Sequence, residues 1–561
     1  MANTHSRALS TSLFREDDTF PILKPEQISR LAAHGNTRRV APGEVLVEAG
    51  KQPTRFFVLT QGQAELVRIS GAVEEIVVII RAGQFTGEVN MLSGRPGLLR
   101  LRASEPSEIL EIDRNRLLEL VQTDSELGDI FMRAFILRRV ELIARGFGEV
   151  LVGSSHSPGT LRIKEFLTRN GHPYSFVDVE RDAGVQEILD RFHVGIDDVP
   201  ILICRGEQVL RNPSNQQVAE CLGFNEAIDQ TQIRDMVIVG AGPAGLAAAV
   251  YGASEGLDVL VLETNAPGGQ AGSSSKIENY LGFPTGISGQ DLAGRAYTQA
   301  QKFGAQILIA KAATRLACEK KPYAIEIDKG PRVPARAVVV ATGAEYRRLS
   351  LENLARFEGA GVYYSATFVE AQLCAGQEVI VVGGGNSAGQ AAVSLAQTAR
   401  RVYILIRSGG LAESMSRYLI RRIEENPAIV LRTHTEIVAL EGGDHLERVR
   451  CQDSRSGRIE THDISHVFVM TGAVPNTGWL DGCVRLDAAG FIKTGPDLSK
   501  EDLEAAHWPL ARTPYLLETS RPGVFAVGDV RAGNSKRVAS AVGEGSNAVS
   551  FVHRVLHEGT V

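Results

Sequence analysis

The chain has 561 residues, of which 43% are hydrophobic and 22% are charged, which is enough for about three to four domains with complete cores. A formal net charge of −6 gives no electrostatic reason to expect nucleic-acid binding, and no apolar run of about 18 residues predicts a membrane span. The N-terminal residues lack the apolar centre of a signal peptide, so we expect a cytoplasmic protein. The six cysteines and twelve histidines show neither the spacing of a disulfide framework nor that of metal ligands, so we expect no metal site.

The first domain is predicted to span residues 1–148. Short β-rich segments separated by glycine turns, with helices on either side, predict a small antiparallel β-roll. The order of these segments resembles the cyclic-nucleotide-binding domain family, whose phosphate cassette contains a glycine–glutamate pair, a short helix and an arginine that pairs with the cyclic phosphate. Gly87 and Glu88 match the pair, whereas Gly97 occupies the arginine position.

The glycine at position 97 leaves several interpretations of this domain open. A bound phosphate loses its bidentate partner, and charge-assisted bonds of this kind are the strong ones. Arg95 and Arg100 are close enough in sequence to substitute for the missing arginine. Otherwise the domain binds another ligand at Gly87 and Glu88, or it serves in dimerisation or docking. No helix-turn-helix pattern follows, which argues against a transcription factor.

Residues 149–228 predict a second, compact domain. Strands and helices alternate in βαβαβ order, with helices predicted after Ser157 and over residues 184–192. This order resembles the thioredoxin and glutaredoxin fold, whose cis-proline opposite the active site matches Pro200. The CxxC positions of that family begin at Ser157 and end at Thr160, so both thiols are absent. A serine hydroxyl cannot supply the thiolate of disulfide exchange, and we expect a structural or binding role.

Residues 236–263 form an apolar strand, a glycine turn, a helix of small residues and a second apolar strand. Gly240 permits a tight turn, Gly242 lets the backbone approach a pyrophosphate, and Gly245 lets the helix lie close to the sheet. Glu263 ends the unit, where an acid accepts hydrogen bonds from a ribose. A glycine turn in this context predicts a dinucleotide site.

A second fingerprint of the same kind follows later in the chain. Gly383, Gly385 and Ala388 occupy the positions of a G-x-G-x-x-A turn, and the strand after it ends on Arg407. An acid at the end of this strand suits a free ribose hydroxyl, while a base suits a 2′-phosphate. The fingerprint that ends on Glu263 therefore suits FAD, and the second suits NADPH.

The C-terminal part of the chain returns to the first dinucleotide domain. Asp529 follows an apolar strand, where it is placed to bond a flavin's polyol chain, and a helix follows whose N-terminus can face the flavin ring. These landmarks, in this order, resemble the bacterial low-molecular-weight thioredoxin reductases over residues 234–561. The resemblance implies a homodimer with an FAD domain at 229–345 and 475–561, interrupted by an NAD(P)H domain at 346–474.

The resemblance also implies binding residues for both nucleotides. For FAD these are Gly240, Gly242, Pro243, Ala244, Gly245, Glu263, Gly269, Gln270, Asn279, Thr342, Gly343, Gly528, Asp529, Arg537, Val538 and Ala539. For NAD(P)H they are Gly383, Gly385, Asn386, Ser387, Ala388, Arg407 and Ser408. The family has several arginines for the 2′-phosphate, of which this sequence keeps Arg407, while Ser408 stands in the place of another. NADH is therefore an alternative to NADPH.

The dithiol that takes electrons from the flavin in that family is missing. Its CATC stretch corresponds to a segment that begins at Ser365 and ends at Phe368, and Val369 stands in place of the family's acid. Cys374 is the nearest cysteine, and it has no partner in sequence. Flavin-to-disulfide transfer needs a thiolate, which neither this segment nor the thioredoxin-like domain supplies.

Three functions therefore remain open. The first is an NAD(P)H-dependent flavoenzyme that passes hydride from the nicotinamide to FAD and then reduces a quinone, a ferredoxin or another small molecule. The second is a flavin-based redox or nucleotide sensor regulated through the N-terminal domain. The third is a thioredoxin-disulfide reductase, which the overall resemblance implies and the missing thiols argue against. The predicted fold class is α/β multidomain: a β-roll with helices, a thioredoxin-like domain and two Rossmann-like dinucleotide-binding domains.

Overall fold

The computed structural model describes residues 15–70, 73–145, 148–182, 185, 189–190, 192–195, 198–204, 208–328, 330–480 and 482–558. The chain divides into two compact units. The N-terminal unit comprises residues 1–152, 171–228 and 298–308, and the C-terminal unit comprises residues 153–170, 229–297 and 309–561. The helix predicted over 184–192 lies largely outside the described residues.

The beginning of the N-terminal unit is rich in strands, as predicted. Its strands are β1 (Asn36–Val40), β2 (Val45–Val47), β3 (Arg55–Gln61), β4 (Gln63–Ser70), β5 (Val73–Arg81), β6 (Arg100–Ala103) and β7 (Ser107–Asp113). Its helices are α1 (Glu16–Thr19), α2 (Pro25–Ala32), α3 (Asn90–Ser93), α4 (Arg114–Thr123) and α5 (Ser125–Ala144). The strands form two sheets, in the orders β1-β7-β3 and β2-β6-β4-β5, with antiparallel neighbours.

An aromatic cluster fixes the long helix α5 against the roll. Phe131 and Phe135 lie one turn apart on α5, and both pack on Phe56 and Phe85 with ring centroids 4.8 to 6.3 Å apart. All four side chains are fully buried. Aromatic pairs at these distances add stability beyond the area that they bury, so this part of α5 is held beside the glycine–glutamate pair of the cassette.

The segment predicted to be thioredoxin-like contains four paired strands. Its elements are β8 (Glu149–Gly153), α6 (Pro158–Arg169), β9 (Tyr174–Asp178), β10 (Ile201–Cys204), β11 (Gln208–Arg211) and α7 (Asn215–Cys221). The strand order is β11-β10-β8-β9, with β10 antiparallel to β8 and β11. The peptide before Pro200 is cis, as expected. Ser157 is the N-cap residue of α6, although its side chain makes no capping hydrogen bond.

Two disulfides correct the expectation drawn from cysteine spacing. Cys204 pairs with Cys221, and Cys318 pairs with Cys483. The partners are 17 and 165 residues apart in sequence. Short motifs such as CxxC cannot signal pairs at these separations, because only the fold brings the sulfurs together.

The chain from residue 234 onward is built on two sheets with parallel strands, and its residues 298–308 belong to the N-terminal unit. Its strands are β12 (Arg234–Val239), β13 (Val259–Glu263), β14 (Gln306–Ile309), β15 (Ala313–Ala317), β16 (Tyr323–Ile327), β17 (Arg332–Val340), β18 (Ala344–Tyr346), β19 (Val362–Tyr363), β20 (Glu378–Val382), β21 (Arg401–Leu405), β22 (Ile429–Arg432), β23 (Thr435–Glu441), β24 (Arg448–Asp453), β25 (Ile459–His462), β26 (Val467–Val469), β27 (Ala473–Pro475) and β28 (Val524–Ala526). Its helices are α8 (Pro243–Ser254), α9 (Gly269–Gly272), α10 (Gly289–Lys302), α11 (Leu354–Phe357), α12 (Phe368–Leu373), α13 (Asn386–Leu395), α14 (Arg417–Glu425), α15 (Lys500–Ala505) and α16 (Val538–Glu558).

Both sheets have the apolar parallel strands that the two fingerprints predict. In the first sheet β12 lies between β13 and β17, and β28 pairs with β17, all in parallel. The second sheet is parallel throughout, in the order β19-β26-β20-β21-β22. Strands buried on both faces read as continuous hydrophobic runs, which explains why they could be recognised in the sequence. The antiparallel pair β18 and β27 lies where the chain passes between the two dinucleotide segments.

The described residues form neither a membrane-crossing helix nor a metal-binding cluster. Within the described ranges, no helix combines the length and the apolar character needed to cross a membrane. Across the same ranges, no group of three or more histidine, cysteine, aspartate or glutamate side chains could hold a metal ion.

Candidate functional site

A cavity of about 730 Å³ lies at the carboxyl ends of β12, β13, β17 and β28 in the C-terminal unit. The loops after these strands form its walls, as is usual for ligand sites in parallel sheets. It is lined by most of the residues predicted for FAD: Gly240, Gly242, Pro243, Ala244, Glu263, Gly269, Gln270, Asn279, Thr342, Gly343, Gly528, Asp529, Arg537 and Val538.

The first glycine turn has no room for side chains. Gly240 has a φ of +104°, and a Cβ atom on it would lie 2.3 Å from the carbonyl oxygen of Ala341. A Cβ on Gly269 would lie 3.0 Å from the Cα of Gly242. These glycines therefore present only backbone atoms on both sides of the turn, and the turn leads into the N-terminus of α8. This is the arrangement that binds a pyrophosphate, because backbone N–H groups and the helix dipole face the anion.

Two residues of the predicted FAD set, Gly245 and Ala539, do not line the cavity. A Cβ on Gly245 would be 1.9 Å from the carbonyl oxygen of Gly240, which is the close packing of helix and turn expected of this glycine. Ala539 is exposed, and Ala541 lines the cavity instead, because positions two residues apart on α16 face different directions.

Hydrogen bonds fix the acidic residue that ends β13. One oxygen of Glu263 accepts from the Ala241 N–H at 2.8 Å, and the other accepts from the Asn265 N–H at 2.9 Å. The carboxylate is thereby held at the end of the strand, where it lines the cavity. Each oxygen keeps a further lone pair for a ribose hydroxyl.

A second carboxylate, which the sequence did not signal, holds the turn that carries Asp529. Glu544 on α16 accepts a hydrogen bond from the Gly528 N–H at 2.7 Å and another from Arg531 Nη2 at 2.6 Å. Burial raises the pKa of Asp529, and the nearby Lys536 opposes this shift. Asp529 is thus a half-buried acid on a fixed turn, and it suits hydrogen bonding to the hydroxyl groups of a ligand.

The second fingerprint contributes only part of its predicted set to this cavity. Asn386 and Ser387, at the start of α13, line it. Gly383 has a φ of +141°, and a Cβ there would lie 2.4 Å from the carbonyl oxygen of Met470, so it forms a tight turn. Gly385 is the N-cap residue of α13, and Ala388 is buried in the core.

Two residues of the predicted NAD(P)H set, Arg407 and Ser408, lie outside the cavity. They follow β21 and are exposed, at the end of the second strand of the fingerprint. Their role in nucleotide binding stays a prediction.

The segment that the sequence resemblance aligns with the family's dithiol places a hydroxyl group on the cavity, and the residue two positions after it adds a carboxyl group. Ser365 and Glu370 line it, and the Ser365 hydroxyl donates to Glu370 Oε1 at 3.4 Å. Phe368 is the first residue of α12, and Val369 is buried in the core. The acid thus lies one position beyond the one considered in the sequence.

Glu370 is held as a buried acid. It is 2% exposed, and one of its oxygens accepts hydrogen bonds from the backbone N–H and the hydroxyl of Thr367. Burial raises its pKa, and the charge of Glu165 adds to the shift. Glu370 is therefore suited to hold a proton next to the cavity.

Helix α6 lines the same cavity. Leu161 belongs to one buried cluster with Tyr363 and Val369. Arg169 Nη2 donates to the Gly269 carbonyl oxygen at 3.0 Å, which ties α6 to a predicted FAD residue. Ser157 and Thr160, the degenerate CxxC positions, do not line the cavity, and Thr160 is fully buried.

The free thiols of the described chain lie away from this site. Cys374 and Cys451 are both buried, and neither lines the cavity. Burial raises the pKa of each thiol to about 11. Because the thiolate is the reactive form, both groups are unsuited to accept electrons from a flavin at neutral pH.

The cassette of the N-terminal unit borders a separate, smaller cavity. Gly87, Glu88 and Gly97 line this space of about 120 Å³. The three positions quoted for the family resemblance are therefore brought together.

Comparison with known families assigns two parts of the chain. The family described as pyridine nucleotide-disulphide oxidoreductase matches residues 234–545, and the cyclic nucleotide-binding domain matches residues 37–124. The thioredoxin reductase of Treponema pallidum (strain Nichols) is 33% identical over 315 residues, which cover 56% of this chain and 94% of that protein.

Solved structures give the same result. A thioredoxin reductase of T. acidophilum matches with a TM-score of 0.51 and 28% identity, covering 57% of this chain and 98% of its own. A thioredoxin reductase of Lactococcus lactis matches with a TM-score of 0.52 and 26% identity, covering 58% of this chain and 99% of its own.

Proposed function

Because the chain belongs to the pyridine nucleotide-disulphide oxidoreductase family, we propose that it is an NAD(P)H-dependent FAD oxidoreductase whose electron acceptor is not a protein disulfide. In this proposal the FAD domain comprises residues 229–345 and 475–561, and the NAD(P)H domain comprises residues 346–474. The cyclic-nucleotide-binding-like domain comprises residues 1–148, and the thioredoxin-like domain comprises residues 149–228.

The shape and chemistry of the large cavity support FAD as the cofactor. The bare turn at Gly240 and Gly242 suits a pyrophosphate, Glu263 suits a ribose, and Asp529 suits the polyol chain. When bound, FAD supplies two-electron transfer between a pyridine nucleotide and an acceptor. The protein's own contribution is to hold these groups in place and to exclude water from the cavity.

The chemistry at the lost dithiol carries the proposal about the acceptor. The described wall of the cavity presents the hydroxyl of Ser365 at one of the two positions where the resemblance expects a thiol, and the carboxyl of Glu370 next to it. A hydroxyl contains no sulfur, so it cannot form the mixed disulfide through which thiol–disulfide exchange proceeds. A protonated carboxyl can instead give a proton to an oxygen or nitrogen that gains electrons. An acceptor that takes up protons on reduction, such as a quinone, fits this wall.

Steady-state turnover tests this function. We expect the purified yellow protein to oxidise NADPH continuously with menadione as acceptor, and to show only background rates with a disulfide such as 5,5′-dithiobis(2-nitrobenzoate). Rapid turnover with the disulfide would contradict the proposal.

The names of the relatives favour a second candidate, a thioredoxin-disulfide reductase. The cyclic nucleotide-binding domain favours a third, a flavin-based sensor. The same assay separates them. The reductase would turn over with disulfides, and the sensor would be reduced stoichiometrically by NADPH without turnover.

Glu370→Gln is expected to change the pH dependence of quinone reduction. Burial keeps the carboxyl pKa above its ordinary value, so the proton is present at low pH and is lost as the pH rises through this raised pKa. We therefore expect the wild-type kcat to fall with rising pH over this range, and the variant to be slower at low pH and independent of this ionisation. The pH profile of kcat between about pH 5 and 9 measures this. Glu352→Gln, an exposed carboxylate away from the cavity, is the control and should keep the wild-type profile.

Arg407→Ala is expected to weaken the binding of NADPH much more than the binding of NADH. The guanidinium is proposed to pair with the 2′-phosphate, which NADH lacks, so KM for NADPH should rise about tenfold while KM for NADH changes little. Arg401→Ala removes an exposed arginine from the opposite end of β21 and serves as the control. Equal small changes for both nucleotides would refute the assignment.

A further inference from the structure

The small cavity of the N-terminal unit is mostly apolar. It has a volume of about 120 Å³ and lies between the sheet, the cassette and α5. Its apolar lining includes Val47, Leu66, Val78, Leu98, Leu99 and Leu142. This volume is somewhat below the roughly 150 Å³ of an apolar cavity that holds benzene, so the space is on the scale of one small ring.

The arginines near the cassette do not provide an anion site in this cavity. Arg95 does not line it, and its guanidinium lies 4.1 Å from the ring centre of Phe224. Arg100 does not line it either, because it forms ion pairs with Glu48 at 2.9 Å and with Glu74 at 2.7 Å. Neither side chain therefore takes the role of the arginine that is missing at position 97.

One end of the cavity carries a free hydrogen-bond donor and a free acceptor. Arg138 is 6% exposed and donates from Nε to the Thr19 carbonyl oxygen at 2.9 Å and from Nη1 to the Gly87 carbonyl oxygen at 2.7 Å. Its Nη2 is buried and has no acceptor among the residues that the structure describes. Oε1 of Glu88 is also buried and has no donor among the residues that the structure describes. The other oxygen of Glu88 lies 3.4 Å from Arg139 Nη1.

The guanidinium of Arg138 is rigidly placed. It lies 4.5 Å from the ring centre of Phe20 and 4.6 Å from that of Phe85. Burial lowers its pKa to about 9, an effect that Glu88 opposes, so the group stays charged at neutral pH. Such a fixed cation directs its free N–H to one place.

The charges around this end of the cavity balance. The two arginines on α5, Arg138 and Arg139, face Glu88 and Glu149. The other arginines that line the cavity, Arg55 and Arg145, pair with Glu111 and Glu141. A bound anion would therefore add a buried negative charge without an unpaired cation among the described lining residues, and burial of an unpaired charge is costly. A hydroxyl group instead accepts from Arg138 Nη2 and donates to Glu88 Oε1, so it satisfies both free groups without adding charge.

We propose that this cavity binds a small, uncharged and mostly apolar molecule that carries one hydroxyl group, rather than a cyclic nucleotide. The apolar body lies among the leucine and valine side chains, and the hydroxyl lies between Glu88 and Arg138. The site is independent of the proposed redox function, and its test does not depend on turnover.

Calorimetric titration of the full-length protein with four probes tests the proposal. The probes are p-cresol, toluene, 4-methylbenzoate and cyclic AMP. We expect p-cresol to bind about tenfold more tightly than toluene, which lacks the hydroxyl, and than 4-methylbenzoate, which adds a charge. Cyclic AMP should give no measurable binding. Equal affinities for p-cresol and toluene, absence of p-cresol binding, or tighter binding of cyclic AMP would each overturn the proposal.

Two variants locate the binding in this cavity. Arg138→Met should lower the affinity for p-cresol about tenfold and leave the affinity for toluene unchanged. Arg133→Met alters a 74% exposed residue of the same helix and should change neither affinity. Gly97→Arg adds a cation at a position where a Cβ meets no neighbouring atom within 4 Å. It should raise the affinity for 4-methylbenzoate about tenfold, which keeps the proposal testable if Arg138→Met does not fold. Unchanged binding in Gly97→Arg and Arg138→Met would overturn the assignment.

Discussion

Gly545→Ala is expected to lower the melting temperature by about 5 °C and to reduce the amount of bound FAD. A Cβ at this position would lie 2.1 Å from the carbonyl oxygen of Ala244 and 3.1 Å from the Cβ of Ala247. Both neighbours belong to α8, and α16 rests on that helix through Gly545. The added methyl group can be accommodated only if α16 moves away from α8, because the closest atom is backbone.

Displacement of α16 would disturb the cofactor cavity from two sides. The N-terminus of α8 carries Gly242 and Ala244, which line the cavity. Glu544 on α16 holds the turn that carries Asp529 through its hydrogen bond to the Gly528 N–H. We therefore expect loss of stability and of flavin together.

Gly543→Ala is the matched control for this prediction. It lies on the same helix, and a Cβ there meets no neighbouring atom within 4 Å. Replacement of an open helical glycine by alanine stabilises a helix by up to about 1 kcal/mol, so this variant should melt slightly higher than the wild type and keep its flavin. Thermal unfolding and the ratio of flavin to protein absorbance measure both effects, and similar behaviour of the two variants would contradict the packing argument.

The double variant Ser365→Cys/Phe368→Cys is expected to gain disulfide reductase activity, by about 100-fold over the wild type. It restores thiols at the two positions where the thioredoxin reductases carry their dithiol. Ser365 already lines the cavity, and residue 368 begins α12, where a helix N-terminus favours the thiolate. The measurement is NADPH oxidation with a disulfide acceptor under anaerobic conditions.

The matched control is Ser365→Ala/Phe368→Ala, which changes the same positions without adding thiols. It should show the background rate of the wild type with disulfides. If the wild type and the cysteine variant reduced disulfides at the same rate, the missing dithiol would be irrelevant and the proposed class of acceptor would be wrong.

Parts of the candidate site could be predicted from the sequence where a short stretch of chain forms them. The turn at Gly240 follows a buried parallel strand and precedes a helix, and this succession is visible as an apolar run, a glycine cluster and a run of small residues. The strand-rich N-terminal domain was recognisable for the same reason. For the turn at Gly240 the whole signal lies within about 30 consecutive residues.

Glu370 was not considered as a site residue in the sequence, where Val369 was noted only as standing in place of the family's acid. In the structure Thr367 caps α12, and its hydroxyl accepts from the Val369 N–H. Glu370 is the N3 residue of this capping box, which turns its carboxyl toward Thr367 and the cavity. The pattern Thr-x-x-Glu before a helix was present in the sequence and could have identified it.

Other features depend on contacts between distant segments. The approach of α6 to Gly269, the disulfide between Cys318 and Cys483, and the position of Glu544 over the Gly528 turn all join residues that no short motif connects. Only the assembled fold reveals such contacts, because each depends on the packing of elements that are far apart in the chain.

Anaerobic stopped-flow absorbance tests the central claim most directly. The purified protein is first reduced with one equivalent of NADPH, and the flavin band is then followed after mixing with menadione or with a disulfide. Our account predicts rapid loss of the band with NADPH, rapid recovery with menadione and no recovery with the disulfide. Rapid recovery with the disulfide would contradict it, because it would require a thiol route that the described cavity does not provide.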